Sequence, residues 1–208
     1  MMADGGEMGA FRDIRPGPEN TREFREALGR FSTGVTVVTT QTSTGPIGIT
    51  VNSFSSVSLD PPLIMWCVAK SSGRYPAFEA AERFAVHVLG HEHRDIAAGF
   101  AKSATAFEHL ELAQTGRDLA QSSSDLAQSC SEVAQIESQM AQIAGETGEN
   151  VSAPALFDDC LARFECTVAQ KHDAGDHQII VGRVDQAALR EGDALVFCMG
   201  RFGRFLDA

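Results

Sequence analysis

Two periods of apolar residues alternate along this chain. Over TREFREALGRF, Phe24, Leu28 and Phe31 recur at spacings of four and three, one face of a short helix. Asn20 or Thr21 would cap it, with Glu23 in its first turn. At GVTVVTTQT the period drops to two and β-branched residues dominate, which predicts a strand. TGPIG reads as a turn, and GITVNSFSSVS as renewed extended chain rich in small hydroxylated residues. LDPP ends it, because Pro61 and Pro62 bring no backbone N–H to a ladder. LIMWCVA predicts a buried strand, YPAFEAAE a helical turn with Pro76 near its start, and RFAVHVL a further strand. HRDIAAGFAKSATAFEHLE is weakly helical. LARFECTVAQKH, HQIIVGRVDQAAL and ALVFCMG predict three more strands, parted by turns at DAGD and REGD. At least six strands with few long helices predict a mainly β chain, a closed or partly closed antiparallel barrel.

A third period interrupts this pattern. From Leu112 to Glu146 the units LAQTGRD, LAQSSSD, LAQSCSE, VAQIESQ and MAQIAGE repeat every seven residues. With Leu112 at position a, the a stripe is Leu112, Leu119, Leu126, Val133 and Met140. The d positions are Thr115, Ser122, Ser129, Ile136 and Ile143, so only the second half is apolar at both. Serine runs, Gly116 and Gly145 weaken helix formation further. The tract reads as an insertion: a helix or helical hairpin lying on the barrel or on a dimer partner, a linker, or an autonomous coiled coil.

Composition narrows the class. The chain has 208 residues, 43% of them hydrophobic, enough for one packed domain with an elaboration. Its formal net charge of −11, with no basic block, argues against a nucleic-acid or anionic-membrane surface. The start, MMADGGEMGAFRDIRPGPEN, lacks the basic and apolar regions of a signal peptide and reads as a disordered tail over 1–20. LIMWCVA is too short to span a bilayer. Five cysteines (Cys67, Cys130, Cys160, Cys166, Cys198), odd in number and without C-x-x-C, read as buried thiols of a cytoplasmic protein.

Most chemical motifs are missing. His91, Glu92 and His93 stand in HEHR, which is not H-E-x-x-H, so no metal site is expected. There is no G-x-S-x-G, no P-loop and no G-x-G-x-x-G opening a helix. What stands out is TVNSFSSVS, Thr50 to Ser58. It is either a solvated strand face whose hydroxyls pair with neighbours, or a cradle for a polar planar ligand. In the second reading an Asn and backbone groups meet ring-edge atoms while hydroxyls hold phosphate oxygens. Lys70, Ser71 and Ser72, beyond the next strand, would add a cation and donors for that phosphate.

GVTVVTT, GITVNSFSSVSLDPPLIMWCV, AKSS, RFAVHVL, GFA and AGDHQIIVGRV together resemble the flavin reductase family, the short-chain NAD(P)H:flavin oxidoreductases that serve two-component monooxygenases. The resemblance runs from about Phe24 to Glu108 and resumes from about Pro154 to Phe205. It implies an FMN-binding split β-barrel of Greek-key antiparallel type with short flanking helices, spanning 21–208 and interrupted by the insertion 112–146. It also implies a homodimer, FAD or FMN as flavin, NADH or NADPH as hydride donor, and a partner monooxygenase receiving reduced flavin. By position, Thr50, Val51, Asn52 and Ser53 would face the isoalloxazine edge, and Ser55, Ser56, Lys70, Ser71 and Ser72 the ribityl phosphate. Cys67 would lie where a strand passes the flavin, Phe100, Ala101 and Lys102 on a flavin-proximal segment, and Arg201 and Phe202 on a closing C-terminal segment. His177 matches a histidine near the nicotinamide and is the catalytic candidate; His172 is a second histidine nearby. A flavoprotein with tightly held flavin reducing another acceptor, or a non-catalytic flavin-binding or interaction module, stays open as an alternative.

Overall fold

The computed structural model describes residues 10–108, 110, 112–113 and 153–205. In chain order the elements are α1 (Thr21–Leu28), β1 (Thr33–Gly34), β2 (Thr36–Thr42), β3 (Gly45–Val51), β4 (Ser55–Leu59), β5 (Pro62–Ala69), α2 (Tyr75–Ala80), β6 (Arg83–Val88) and α3 (Arg94–Lys102). There follow β7 (Leu112–Ala113), β8 (Leu156–Phe157), β9 (Ala162–Ala174), β10 (His177–Leu189), β11 (Leu195–Cys198) and β12 (Arg201–Arg204). Seven strands form one antiparallel sheet in the order β3-β2-β6-β9-β10-β5-β4. A smaller sheet, β1-β11-β12, and the pair β7-β8 complete the strands.

The expected single extended stretch over GITVNSFSSVS is two strands at opposite edges of the large sheet. β3 pairs with β2, and β4 with β5. Only Asn52, Ser53 and Phe54 join them, a reach on the order of 14 Å. The sheet must therefore curl until its edges approach. Ser53 seals this approach: its hydroxyl donates to the Cys67 carbonyl at 3.2 Å and accepts the Cys67 N–H at 2.9 Å.

β2 is buried on both faces over Thr36–Thr40, although only Val37 and Val38 of that stretch are apolar. Val38 faces a core with Trp66, Phe84 and Ile180, while Val37 faces a second core with Phe100, Phe157 and Leu195. Three buried threonines of β2 satisfy their hydroxyls on backbone carbonyls: Thr36 on Val51, Thr39 on Ala155 and Thr40 on Arg83.

Several elements differ from the sequence expectation. α3 stops at Lys102 because Ser103 and Thr105 divert the chain into a turn, with the Ser103 hydroxyl accepting the Thr105 N–H. Pro18–Asn20, within the expected tail, form a 3₁₀ turn. Asn20 is the cap residue of α1, yet its side chain turns back to accept the Gly17 N–H. β1 and β12 carry no sequence signal strong enough to have been read. Apart from Leu112 and Ala113, the heptad tract lies outside the described residues, and so does Cys130. No helix of the described residues is long and apolar enough to cross a membrane.

Candidate active site

The Thr50–Ser53 segment is where β3 leaves its partner, and its backbone geometry follows from the ladder. In an antiparallel strand, N–H groups point alternately toward and away from the neighbour. The Gly48 N–H points away from β2 and donates to the Ala104 carbonyl at 2.8 Å. Two residues on, the Thr50 N–H turns to the same open edge, and no backbone carbonyl among the described residues takes it. The Thr50 hydroxyl is not free: it donates to the Ala97 carbonyl at 2.7 Å and ties α3 to the strand.

A cleft of about 220 Å³ opens beside this segment, lined by Val35, Thr50, Val51, Asn52, Ala101, Phe197 and Phe202. Its walls are apolar, and Asn52 contributes an amide. The Phe197 and Phe202 rings meet at 5.5 Å and 60°, and the Arg94 guanidinium lies over Phe202 at 6.0 Å from its centroid. A planar ligand with apolar faces and a polar edge suits such walls and such a backbone.

Five of the expected residues, Thr50, Val51, Asn52, Ala101 and Phe202, thus come together in one cleft. Phe100 does not join them. Its ring is fully buried against Phe107 and Phe157, because α3 turns successive side chains about 100° apart and gives Ala101 the cleft side. Lys102 lines a different cleft of about 560 Å³ between α3 and the following loop, with His93, Asp95 and Glu108. That larger cleft contains nothing of the Thr50–Ser53 segment. Arg201 is exposed on β12. Val35 and Phe197, two walls of the smaller cleft, were missed, since nothing in their strand patterns sets them apart from core residues.

A second group gathers at the far end of β5. Register places Cys67 opposite Ile179 and Ala69 opposite His177. Trp66, Val68 and Ile180 face the core, so by alternation Cys67 and His177 share the other face of the sheet. Burial pushes the half-buried Cys67 thiol up, partly offset by its Ser53 contact. Ser53 therefore joins the two groups: its segment lines the cleft and its hydroxyl sits on Cys67. Ser55 and Ser56 follow on β4 at the sheet edge, the Ser55 hydroxyl donating to the Ser56 carbonyl. Ser71 is exposed, and the Ser72 hydroxyl accepts the Arg74 N–H.

Lys70 is already occupied. Its ammonium pairs with Asp173 and donates to the Gly175 carbonyl at 2.7 Å. Arg74, four residues on and unread in the sequence, keeps a buried Nε without a partner among the described residues. His177 Nδ1 lies 2.7 Å from Asp176 Oδ1. The carboxylate only accepts, so Nδ1 carries a proton in this contact and Nε2 is left for other partners. The imidazole contact, then its charge, hold the Asp176 carboxyl below its ordinary value. His172 points its Nε2 to Gln170 at 2.9 Å and is exposed. His91–His93 form a 3₁₀ turn, and no group of three His, Cys, Asp or Glu among the described residues is arranged to hold a metal.

Comparison with known proteins bears on the same residues. The family described as flavin reductase like domain matches residues 28–205, which include both groups. FMN reductase (NADH) SmoA of Agrobacterium fabrum is 46% identical over 91% of this chain and 89% of its own length. The reductase component of the flavin-dependent trigonelline monooxygenase of Acinetobacter baylyi is 36% identical over 79% of this chain, which spans 42% of that longer protein. Among solved structures, Streptomyces globisporus NADH:FAD oxidoreductase SgcE6 in complex with NAD and FAD fragments superimposes with a TM-score of 0.69. It is 31% identical and covers 93% of this chain and 98% of its own. The edge-to-edge passage of the chain at Thr50–Ser53 and the apolar cleft beside it are therefore features of a chain that belongs to the flavin reductase-like domain family.

Proposed function

We propose that this chain is an NAD(P)H:flavin oxidoreductase that supplies reduced FMN or FAD to a partner monooxygenase. The observation that carries the reading is the Thr50–Ser53 segment, with an outward backbone N–H beside an apolar-walled cleft. The names of the relatives, an NADH-dependent FMN reductase and a monooxygenase reductase component, support it. The flavin supplies the redox chemistry, accepting hydride from a nicotinamide stacked on it. The chain's own residues then do three things. Val35, Phe197 and Phe202 exclude water from the ring faces. The open-edge backbone of Thr50–Ser53 donates to the polar ring edge where negative charge develops. His177 meets the nicotinamide through Nε2 while Asp176 holds Nδ1.

In this proposal the seven-stranded sheet is the wall of a Greek-key split barrel, a single unit over 21–208 interrupted at 112–146. Two copies associate, each covering the other's α1. That helix buries none of its residues, and Phe24, Leu28, Phe31 and the adjacent Met199 are exposed. A cytoplasmic location is part of the same reading, supported by the free thiols of Cys67, Cys160, Cys166 and Cys198.

The test is oxidation of NADH and NADPH by the purified protein with FMN, FAD and riboflavin. Turnover of added flavin supports the reading. Recycling of a bound flavin only would make the protein a flavoprotein serving another acceptor, and no oxidation with any pair would make it a binding module. His177→Ala is expected to slow single-turnover flavin reduction roughly tenfold or more without altering the circular dichroism spectrum. An unchanged rate removes His177 from the mechanism.

A further inference from the structure

The three contacts of Lys70 converge on one short stretch. Its ammonium pairs with Asp173 and donates to the Gly175 carbonyl, and its backbone N–H donates to the Asp176 carbonyl at 2.9 Å. All three partners fall within the four residues that precede His177. Gly175 sits at φ +63°, a left-handed turn position that a glycine occupies without strain. The turn is the two-residue link Gly175–Asp176 between Ala174 and His177, which face each other across the β9–β10 ladder. Ala69, the neighbour of Lys70, lies directly across the ladder from His177, so the anchored turn leads straight into the residue that carries the imidazole.

We propose that Lys70 is a positioning residue for His177, latching the Asp173–Asp176 turn and thereby fixing where the imidazole stands. This rests on the reading of His177 as the nicotinamide-facing group. An ammonium held by a carboxylate and a carbonyl is not a free phosphate cation, so the principal effect of Lys70 falls on the nicotinamide side rather than on flavin affinity. The ladder between β5 and β10 runs through seven residue pairs and does not depend on the ammonium. Loss of the latch thus loosens the turn while the fold stays. Asp173 is 79% exposed, which limits the strength of its ion pair and sets the expected effects at several-fold.

The test compares Lys70→Met, which keeps the stem, with Asp173→Ala, which removes the ion-pair partner and leaves Lys70 and every cleft residue unchanged. Steady-state kinetics with NADH and stopped-flow flavin reduction are read alongside FMN affinity from fluorescence quenching. Both single variants are expected to raise KM for NADH and slow reduction by a similar factor of roughly three to ten. The double variant is no worse than either, Lys70→Arg recovers most of the loss, and FMN affinity stays within about twofold. In a His177→Ala background, Asp173→Ala adds nothing further. The proposal is overturned if Lys70→Met weakens FMN binding while Asp173→Ala is silent, or if Asp173→Ala slows the His177→Ala protein as much as the wild type. A wild type that oxidises no nicotinamide with any flavin sinks the functional reading itself, a result distinct from an active wild type indifferent to Asp173.

Discussion

His87 is fully buried beside the second core, stacked on Phe157 at 3.9 Å and 12°. Its Nδ1 lies 3.2 Å from the Val37 carbonyl, which only accepts, and its Nε2 receives the Phe157 N–H at 3.4 Å. Both contacts require the neutral ring with its proton on Nδ1. Burial accordingly holds its pKa down to about 3 from 6.5, with the Val37 contact pulling weakly the other way. A histidine depressed in the folded state contributes stability that is complete above 6.5 and is lost progressively as pH falls toward about 3. The expected slope approaches ~1.4 kcal/mol per pH unit in that window. Thermal unfolding of the wild type and His87→Gln, followed from neutral pH into that acidic range, should show the variant losing this share of the slope. A second residue-scale prediction concerns Gly48, where an added Cβ would stand 2.5 Å from Cε1 of Phe100. Gly48→Ala should destabilise by about 1–3 kcal/mol and displace α3, a lowered melting temperature being the measurement. Its loss of flavin affinity should follow, because Ala101 on that helix is a wall of the cleft.

Among the elements, β7 and β8 carry the most direct consequence. Leu112 pairs with Phe157 and Ala113 with Leu156, so the chain on either side of 114–155 is already side by side in an antiparallel ladder. The returning end is clamped by the Thr39 hydroxyl on the Ala155 carbonyl and by the His87–Phe157 stack. Replacing 114–152 by a tight turn of about two to five residues should therefore close without strain. The shortened protein is expected to keep its melting temperature within a few degrees and its reductase activity. A loss of solubility or activity would show that the heptads pack on the rest of the chain. Strand existence and type were readable from alternation at β2, β5, β6, β9, β10 and β11. Where the strands went was not. GITVNSFSSVS reads as one extended stretch rich in hydroxyls, and nothing local says that Asn52–Phe54 carries the chain from one sheet edge to the other. That step is decided by Ser53 meeting Cys67, a partner on another strand. Among the expected site residues, the Asn52 and Ala101 positions line the cleft, whereas Phe100 and Lys102 point elsewhere for reasons of helical phase that the motif GFA does not state.

At the scale of the whole molecule, α1 is a helix with an apolar face that the described residues leave uncovered. Leu28 is 58% and Phe31 78% exposed. The C-terminal end of α1 is tied to the β11–β12 turn through the Met199 N–H on the Gly29 carbonyl at 2.9 Å, and these two strands carry the cleft walls Phe197 and Phe202. In the proposed dimer, Phe31→Glu should shift the wild-type dimer to monomer in light scattering and weaken flavin binding with it. A monomeric wild type removes the dimer from the proposal. By itself the sequence determined the mainly β class, most strand positions, the seven-residue repeat and the family resemblance, because periodicity and short motifs are properties of neighbouring residues. Only the tertiary structure decided that β3 and β4 stand at opposite edges, that Ser53 joins the cleft to Cys67 and that Lys70 is held by the turn before His177. Each of those facts depends on a hydrogen bond between residues far apart in the chain, and local pattern carries no record of which distant group will arrive.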